Sequence, residues 1–428
     1  MRRYLLLLVL SITVCSQLAS AQEKRWIKQQ ITRLSSNSFH GRGYVSKGGE
    51  KAAAFIQQHF REFGLVPFDT DSTYLQKYFM AVNTFPGNIY LRLNKKELVP
   101  GEDYLIDAAS TPYFTEKIKL KKIDLKNVKD SASWAKVKRQ IKPGRVYILK
   151  NSDTVSKYMK LSLRTFANQF LDNVLIVPKH GKLTWLVRQD TIPATIIYVE
   201  DTVMPKRVNK AAITIESKYE PNFKNFNVLG YVPGTEKPDS FIVFTAHYDH
   251  LGQMGRRTMF PGAHDNASGT AFVLSLAKYF AEHPQKYSVA FMLFSGEEAG
   301  LVGSRHYAKS PVFPLEQIRF VVNLDMVGAA TDGITVVNAD TRKKEFDLMN
   351  RINLKKAYLP KLSERSQTQN SDHYSFSEQG VPAIFIYGSG SKNYYHDVFD
   401  EAKELSLENI DALSRLLIEF TGELSNGK

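Results

Sequence analysis

The most constraining feature of the sequence lies in residues 241–303, where apolar runs end in clusters of charge. The runs FIVFTA and VAFMLF are followed by HYDHLG and SGEEAG, and a third group, GAHDNASG, lies between them. A soluble protein places histidines and carboxylates at the end of a buried strand mainly where a ligand requires them. The pattern predicts a catalytic site, and our first hypothesis is a two-metal hydrolytic centre.

Near-continuous apolar strands alternate with helices after residue 219. This alternation is typical of a buried sheet that is covered by helices on both faces. The fold class that we predict is therefore α/β, a mixed and mostly parallel sheet sandwiched by helices. Strands are expected at NVLGYVPG, SFIVFTAH, KYSVAFMLFS, IRFVVNLDMVG, GITVVN and PAIFIYG, and helices at NASGTAFVLSLAKYFAEH, residues 300–309, KKEFDLMNRINL and LENIDALSRLLIEFTGEL.

Residues 111–218 have a different texture. Four strand-like runs, GRVYILK, DNVLIVPK, LTWLVR and ATIIYVE, are separated by turns, and residues 156–170 look helical. The stretch has no histidine except His180 and no clustered carboxylates, so we expect an inserted β-rich domain without chemistry of its own. The predicted division is a signal peptide at 1–21, the N-terminal part of the main domain at 22–110, the insert at 111–218 and the catalytic part at 219–428.

The segment 27–64 predicts two helices joined by the glycine-rich loop HGRGYVSKGG. In the second helix Ala53, Ile56 and Phe60 share a face, and Gly64 suits the C-cap. His40 and Arg42 flank a glycine in the loop. We expect them to fix the loop rather than to bind a ligand.

The first 21 residues predict export. They contain two arginines, a short apolar run and Ala19-Ser20-Ala21, which is typical of a cleaved signal peptide. Cleavage would remove Cys15, the only cysteine, and the absence of disulfides favours a bacterial periplasmic or extracellular protein. A lipoprotein anchored at Cys15 is the weaker alternative, because Val14 stands where a small residue is wanted. No transmembrane segment is expected in the mature protein.

The formal net charge is +14, and much of the excess lies in residues 117–164. A basic stretch of this kind is typical of nucleic-acid or anionic-surface binding, but also of an ordinary solvated face. No signature of a nucleic-acid module accompanies it. We therefore predict a solvated face and no nucleic-acid partner.

The charged groups are expected at one edge of the sheet, because ligands of parallel α/β sheets bind outside the carboxyl ends of the strands. Histidine and carboxylate without cysteine suit Zn²⁺, Mn²⁺ and related divalent ions. Two neighbouring cations need a bridging carboxylate, and a hydroxide held between them is the natural nucleophile. A further carboxylate, not itself a ligand, must then move the proton.

These motifs resemble those of the M28 family of co-catalytic zinc aminopeptidases, most strongly over residues 227–396. The resemblance implies a metallo-aminopeptidase that hydrolyses the N-terminal peptide bond of peptide substrates. It also implies two Zn²⁺ per chain, with other divalent metals possible. The matching elements are the H-x-D motif His247-Tyr248-Asp249, the D-N-A-S-G loop from Asp265, the pair Glu297-Glu298, the strand-end Asp325 and the late His396.

The resemblance implies a metal set for each ion. Asp265, Glu298 and His396 would hold one ion, and His247, Asp265 and Asp325 would hold the other. Asp265 would therefore bridge the two.

Two further carboxylates receive catalytic roles from the resemblance. Glu297 would be the general base that takes a proton from the metal-bound water, which leaves hydroxide as the nucleophile, and then the acid toward the leaving amine. Asp249 would orient His247. The resemblance also implies a cis peptide between Asp265 and Asn266.

Other polar residues near the motifs are expected to be structural. His250, His264 and His306 fit neither metal set. Asp372-His373, in QNSDHYSF, resembles a family element and is expected to cap a helix and support the pocket. Four side chains are equally consistent with an apolar substrate pocket and with core packing: Met326, Tyr374, Phe376 and Tyr395.

Two alternatives to the peptidase hypothesis remain open. One is a glutaminyl cyclase, which shares this fold and uses a single zinc. The other is a binding module that has lost catalysis, although such proteins lose ligands and this chain keeps all of them. The insert resembles a protease-associated domain more loosely, since the usual glycine-alanine signature before the central strand is missing.

Overall fold

The structure is a computed structural model that describes residues 22–68 and 73–427. The predicted signal peptide at 1–21 lies outside the described residues. Within the described ranges, no helix combines the length and the apolar character needed to cross a membrane.

The helices follow the apolar periodicity of the sequence. In the second helix Ala53, Ile56 and Phe60 are buried, and Gly64 ends it at a φ of 73°, a left-handed conformation that suits glycine. The helices are α1 (22–34), α2 (Gly48–Phe63), α3 (Ser131–Lys138), α4 (Leu163–Ala167), α5 (Gly269–Glu282), α6 (Val302–Lys309), α7 (Lys343–Lys356), α8 (His373–Ser377) and α9 (Ile410–Ser425). Short 3-10 or π segments are Asn37–Arg42, Val155–Met159, Ala263–Ser268, Leu315–Gln317 and Ala402–Glu404.

The strands fall into two groups along the chain. The first group is β1 (Val66–Pro67), β2 (Leu75–Thr84), β3 (Ile89–Leu93), β4 (Lys96–Leu98), β5 (Tyr104–Ile106), β6 (Tyr113–Lys119), β7 (Lys121–Asp124), β8 (Val146–Lys150), β9 (Val174–Lys179), β10 (Thr195–Glu200) and β11 (Lys210–Ile215). The second group is β12 (Lys218–Val232), β13 (Lys237–His247), β14 (Gly252–Met254), β15 (Thr258–Phe260), β16 (Tyr287–Phe294), β17 (Ile318–Leu324), β18 (Ile334–Val337), β19 (Leu362–Arg365) and β20 (Ala383–Gly388).

A nine-stranded mixed sheet forms the main domain, with the order β1-β12-β16-β13-β17-β20-β18-β19 and β2 added beside β12. The four central strands β16, β13, β17 and β20 run parallel to one another. Strand β12 is antiparallel to β16, and β18 is antiparallel to β20. The predicted mixed, mostly parallel sheet is confirmed.

Helices cover both faces of this sheet, as predicted. Along β13, Ile242 and Phe244 enter a core that also contains residues of α1, α2, α5, α7 and α9. Phe241 and Val243 point the other way, into a core with Tyr307 of α6 and Phe376 of α8. Burial on both faces explains why the central strands have no polar alternation.

The inserted segment contains two further sheets. A four-stranded sheet has the order β4-β3-β11-β6 and a five-stranded one the order β5-β10-β9-β8-β7, in which β7 to β10 are parallel. Strands β3, β4 and β5 precede residue 111 yet pair within these sheets, so the boundary at 110/111 stays a prediction. One expected strand is wrong: LTWLVR, residues 183–188, forms neither helix nor strand.

Candidate metal centre

The predicted site residues converge at the carboxyl edge of the four parallel strands. His247 ends β13, Glu297 and Glu298 follow β16, and Asp325 follows β17. His396 comes from the loop after β20. The edge of a sheet at which consecutive strands diverge is the usual ligand position in α/β folds.

Asp265 lies between the two predicted histidine ligands. Its Oδ1 is 3.4 Å from His247 Nε2, and its Oδ2 is 3.2 Å from His396 Nε2. The side chain is 4 % exposed. Each oxygen of this one buried carboxylate thus faces a different imidazole, which is the arrangement that a carboxylate between two cations requires.

The remaining predicted ligands complete a group around each imidazole. Asp325 Oδ1 is 3.2 Å from His247 Nε2, and Glu298 Oε2 is 3.1 Å from His396 Nε2. His247, Asp265 and Asp325 offer ligand atoms that all lie within 4.8 Å of one another. The donor set is imidazole and carboxylate, which fits Zn²⁺ and similar divalent ions.

His250 also belongs to the cluster, although the sequence indicated a purely structural residue. It is fully buried, and its Nδ1 lies 2.7 Å from Glu298 Oε1 and 3.9 Å from Asp265 Oδ2. Its Nε2 has no hydrogen-bond partner among the described residues. The sequence signal was present in the HYDHLG run, where this histidine directly follows Asp249.

Hydrogen bonds to backbone carbonyls orient both predicted histidine ligands. The Nδ1 of His247 is 3.1 Å from the backbone oxygen of Asp249, whereas the Asp249 carboxylate is 3.7 Å away. The Nδ1 of His396 is 2.9 Å from the backbone oxygen of Trp185. A carbonyl oxygen can only accept, so both Nδ1 atoms donate and both Nε2 atoms face the carboxylates.

The Asp249 carboxylate contacts two other parts of the site. It accepts a hydrogen bond from the Tyr44 hydroxyl at 2.8 Å and from the backbone N–H of Glu297 at 3.3 Å. It therefore ties the loop after β16 to the loop after β13. Sequence reasoning had not singled out Tyr44.

A chain of buried hydrogen bonds fixes Asp325. Ser371 donates to Asp325 Oδ2 at 2.8 Å and accepts from Asn323 at 2.7 Å. Asn323 in turn accepts from Thr245 at 2.7 Å. Strands β13 and β17 thereby hold one ligand through neutral side chains, which leaves its charge available.

The loop that carries Asp265 is held by Asp400. The backbone N–H groups of His264 and Asp265 donate to the two Asp400 oxygens at 2.8 and 3.0 Å. The Asp265–Asn266 peptide is cis, as predicted. The Asn266 side chain bonds the Leu324 carbonyl at 3.0 Å, so this loop is tied to the end of β17.

Arg42 fixes the backbone around the loop that carries Asp265. Its guanidinium is fully buried and donates to five backbone carbonyls, those of Leu34, Tyr248, Pro261, Gly262 and Asp265, at 2.6–3.2 Å. The preceding Gly41 has a φ of 63°, and a Cβ there would lie 2.4 Å from the Phe260 carbonyl. The loop-fixing role that we expected for Arg42 agrees with these contacts.

The electrostatics of the cluster separate Glu297 from its neighbour. Burial raises the pKa of Glu297 well above its usual value, although the nearby His247 acts in the opposite direction. Burial also raises the pKa of Glu298, but His396 and His250 outweigh it and hold that pKa well below its usual value. Two adjacent carboxylates therefore have opposite tendencies, which is how acid–base and ligand roles are divided in other sites.

The imidazoles are strongly basic in this setting. Burial lowers the pKa of His396, but the charges of Glu298 and Asp265 outweigh it and raise the pKa to about 11. The pKa of His247 is also raised well above its usual value, since Asp325 and Glu297 outweigh burial. The same carboxylates that raise these two pKa values are the groups that could hold cations.

The other residues near the motifs are placed as follows. Asp372 stands at the N-cap position of α8 without a capping hydrogen bond, and burial raises its pKa to about 7. Phe376 is fully buried in the core and packs on Tyr307, whereas Tyr395 is exposed and stacks on His396 at 3.7 Å. His264 is buried, and neither ring nitrogen has a hydrogen-bond partner within the described ranges.

These features define an α/β protein with a buried carboxylate–imidazole cluster at its strand ends, whose donor set could hold metal ions. Residues 227–421 match the sequence profile described as Peptidase family M28. This segment, just under half of the chain, is therefore similar to peptidase family M28.

Two relatives that are named as aminopeptidases are similar in sequence to part of this chain. A probable leucine aminopeptidase of Arthroderma otae is 25 % identical over 256 residues, which are 56 % of this chain and 65 % of that protein. The aminopeptidase YwaD of Bacillus subtilis is 29 % identical over 216 residues, 48 % of this chain and 46 % of that protein. The chain thus spans less than two thirds of the length of these relatives.

Solved structures share the whole fold. A zinc aminopeptidase from Bacillus subtilis superposes with a TM-score of 0.67 at 19 % identity, covering 94 % of this chain and 95 % of the other. A peptidase M28 precursor from Shewanella amazonensis gives 0.64 at 14 % identity, covering 95 % and 97 %. At such identities the likeness establishes the fold alone.

Proposed function

We propose that this chain is an exported metallo-aminopeptidase that uses two divalent ions, ordinarily Zn²⁺, to release the N-terminal residue of peptides. The observation that carries the proposal is the position of Asp265, whose two oxygens face His247 and His396 separately. A buried carboxylate whose two oxygens face separate imidazoles is suited to a place between two ions. The names of the family and of its relatives support the reaction class.

The donor atoms divide into two sets around Asp265. One ion would be held by His247, Asp325 and Asp265 Oδ1, and the other by His396, Glu298 and Asp265 Oδ2. His250 would then act on Glu298 rather than bind directly, because its Nδ1 lies at hydrogen-bond distance from Oε1 and leaves Oε2 for the metal.

The chemistry divides between the ions and Glu297. When bound, the ions would lower the pKa of a water molecule and polarise the scissile carbonyl. Glu297 takes one proton from the attacking water as the new C–O bond forms. It then gives that proton to the leaving nitrogen as the C–N bond breaks, so the carboxylate is regenerated.

Export is the second part of the proposal. Its support is the arginine-plus-apolar pattern of residues 1–21 and the Ala19-Ser20-Ala21 sequence that precedes the first described helix. Mass spectrometry of the protein purified from culture medium or periplasm is expected to show an N-terminus at Gln22.

A substrate panel tests the proposed reaction. The zinc-loaded mature protein is expected to release free amino acids from aminoacyl amides and short peptides. Acetylation of the substrate N-terminus is expected to lower kcat/KM by about 100-fold or more, because a site built to bind a free amine leaves polar groups unpaired without it.

Two outcomes of the same panel would overturn the proposal. Ammonia release from glutaminyl peptides without peptide cleavage would establish a cyclase. If the metal-loaded protein turned over neither substrate type, it would be a binding module.

A further inference from the structure

A segment of the insert runs across the metal centre. Residues 182–189, here called the strap, connect β9 to β10 without forming a helix or a strand. The strap contacts both loops that carry the candidate ligands Glu298 and His396. The expected insert is therefore connected to the loops that carry two of the predicted metal ligands.

The first contact is a two-way pairing of backbone and side chain between Trp185 and His396. The Trp185 N–H donates to the His396 carbonyl at 3.0 Å, and His396 Nδ1 donates to the Trp185 carbonyl at 2.9 Å. His396 has a φ of 58°, a left-handed conformation that a side chain seldom adopts unless its surroundings hold it. The pairing with Trp185 restrains this conformation and orients Nε2 of His396 toward Asp265 and Glu298.

The two ends of the strap bond to the loops that carry His396 and Glu298. Lys182 Nζ lies 2.8 Å from Asp397 Oδ2 and 2.7 Å from the Asn393 carbonyl, on either side of His396 in the chain. At the other end Gln189 Nε2 donates to the Ala299 carbonyl at 2.8 Å, directly after Glu298. These bonds fix the distance between the two loops.

The Trp185 ring anchors the middle of the strap. It is 5 % exposed, stacks on Phe260 with ring centroids 4.8 Å apart, and donates from Nε1 to the Ile106 carbonyl at 2.8 Å. Phe260 begins the loop that leads to Asp265. One indole thereby contacts β5 and the last residue of β15, which precedes the loop of Asp265.

We infer that Trp185 is a positioning residue, and that the insert uses the strap to set the affinity of the metal ion held by His396. The inference rests on the two-metal part of the proposed function. Groups that orient metal ligands typically contribute 10- to 100-fold in metal affinity. The strap contacts neither His247 nor Asp325 through a described hydrogen bond, so the effect should be confined to one of the two ions.

The decisive variant is Trp185→Ala, with Trp134→Ala as its matched control. Trp134 lies in the same insert, is 6 % exposed and donates from its indole to Gln169, but it packs on Phe166 and Phe170 away from the site. Zinc affinities are measured by competition with a chromophoric chelator. In Trp185→Ala one site is expected to weaken about 10- to 100-fold while the other changes less than about threefold. Trp134→Ala is expected to leave both affinities unchanged.

A second variant covers the case in which Trp185→Ala does not fold. Lys182 is partly exposed, so Lys182→Met should fold, and it is expected to weaken the same site by about tenfold. Lys182→Arg keeps the cation and should restore the affinity. Parent affinities in Lys182→Met, or equal weakening in Trp134→Ala, would overturn the inference.

The readout also separates this inference from the proposed function. Metal affinity is measured without a peptide substrate. A protein that binds two ions, loses affinity for one of them in the strap variants and cleaves no peptide would refute the proposed reaction and leave the role of the strap intact.

Discussion

Replacement of Glu297 by glutamine is expected to lower kcat on the order of a thousandfold while both metal ions remain bound. The amide has almost the same shape as the carboxylate, so the loop after β16 should keep its structure. It cannot accept a proton from water, however, and it has none to give to the leaving amine. The measurement is steady-state hydrolysis of an aminoacyl amide together with the zinc content of the same sample.

The neighbouring residue provides the matched control. Glu298→Gln makes the same chemical change one position along the chain, but at a side chain that lies 3.1 Å from His396 and accepts from His250. This variant is expected to lose affinity for one ion. If Glu297→Gln kept its metals and stayed within tenfold of the parent kcat, Glu297 would not be the proton carrier.

Replacement of Arg42 by methionine is expected to destabilise the fold by about 3–5 kcal/mol, the range for removal of one partner from a buried charged network. The methionine fills much of the space but donates no hydrogen bonds. Five backbone carbonyls would then lose their donor, and buried carboxylates such as Asp265 and Asp400 would lose a nearby cation. Urea denaturation, followed by circular dichroism, measures the difference in the free energy of unfolding.

An exposed arginine on the preceding helix is the control for Arg42. Arg33→Met makes the same substitution nine positions earlier and should change the free energy of unfolding by less than about 0.5 kcal/mol. Arg42→Lys should fall between the two, because one ammonium cannot reach five carbonyls. A loss below about 1 kcal/mol in Arg42→Met would show that these hydrogen bonds are not needed.

The convergence of the predicted ligands was predictable because it follows from a regular feature of the fold. Parallel strands bring their carboxyl ends to one edge, so His247, Glu298 and Asp325 had to approach one another once the strands were recognised. His396 was less constrained, since it lies in an irregular loop after β20. Its placement depended on the resemblance to the family rather than on the periodicity of the sequence.

The residues that hold the ligands could not be predicted, because their contacts join distant parts of the chain. Arg42 reaches Gly262 across 220 positions, and Trp185 reaches His396 across 211. Spacing within a sequence carries no information about which loops meet. Asp400 is similar, since its role depends on the cis-peptide loop that presents two N–H groups to it.

The wrong strand prediction at LTWLVR shows that side-chain packing alone can produce the alternation of buried and exposed residues that is typical of a strand. Trp185 and Val187 are buried while Leu186 is 42 % exposed, so the run alternates with a period of two. The Trp185 ring is buried by aromatic contacts with Phe260 and Phe85, and the run forms no strand ladder with a neighbour. Alternation predicts a half-buried extended chain but not its hydrogen-bond partners.

The strength of metal binding should depend on pH in a defined direction. His396 has a pKa of about 11 in the metal-free protein, so it is protonated at pH 7 and must lose that proton to become a ligand. The pKa of His247 is raised in the same direction, because Asp325 and Glu297 outweigh the effect of burial. Because protons compete with the metal below these pKa values, zinc affinity should rise between pH 6 and pH 8, with protons released to the buffer.

The central claim is that Asp265 joins two metal ions in one site, and a zinc titration of the metal-free mature protein tests it most directly. Elemental analysis at saturation, with proton release recorded by calorimetry in two buffers, counts the ions and the displaced protons together. The geometry around Asp265 predicts two zinc ions per chain. Saturation at one zinc ion per chain would contradict it.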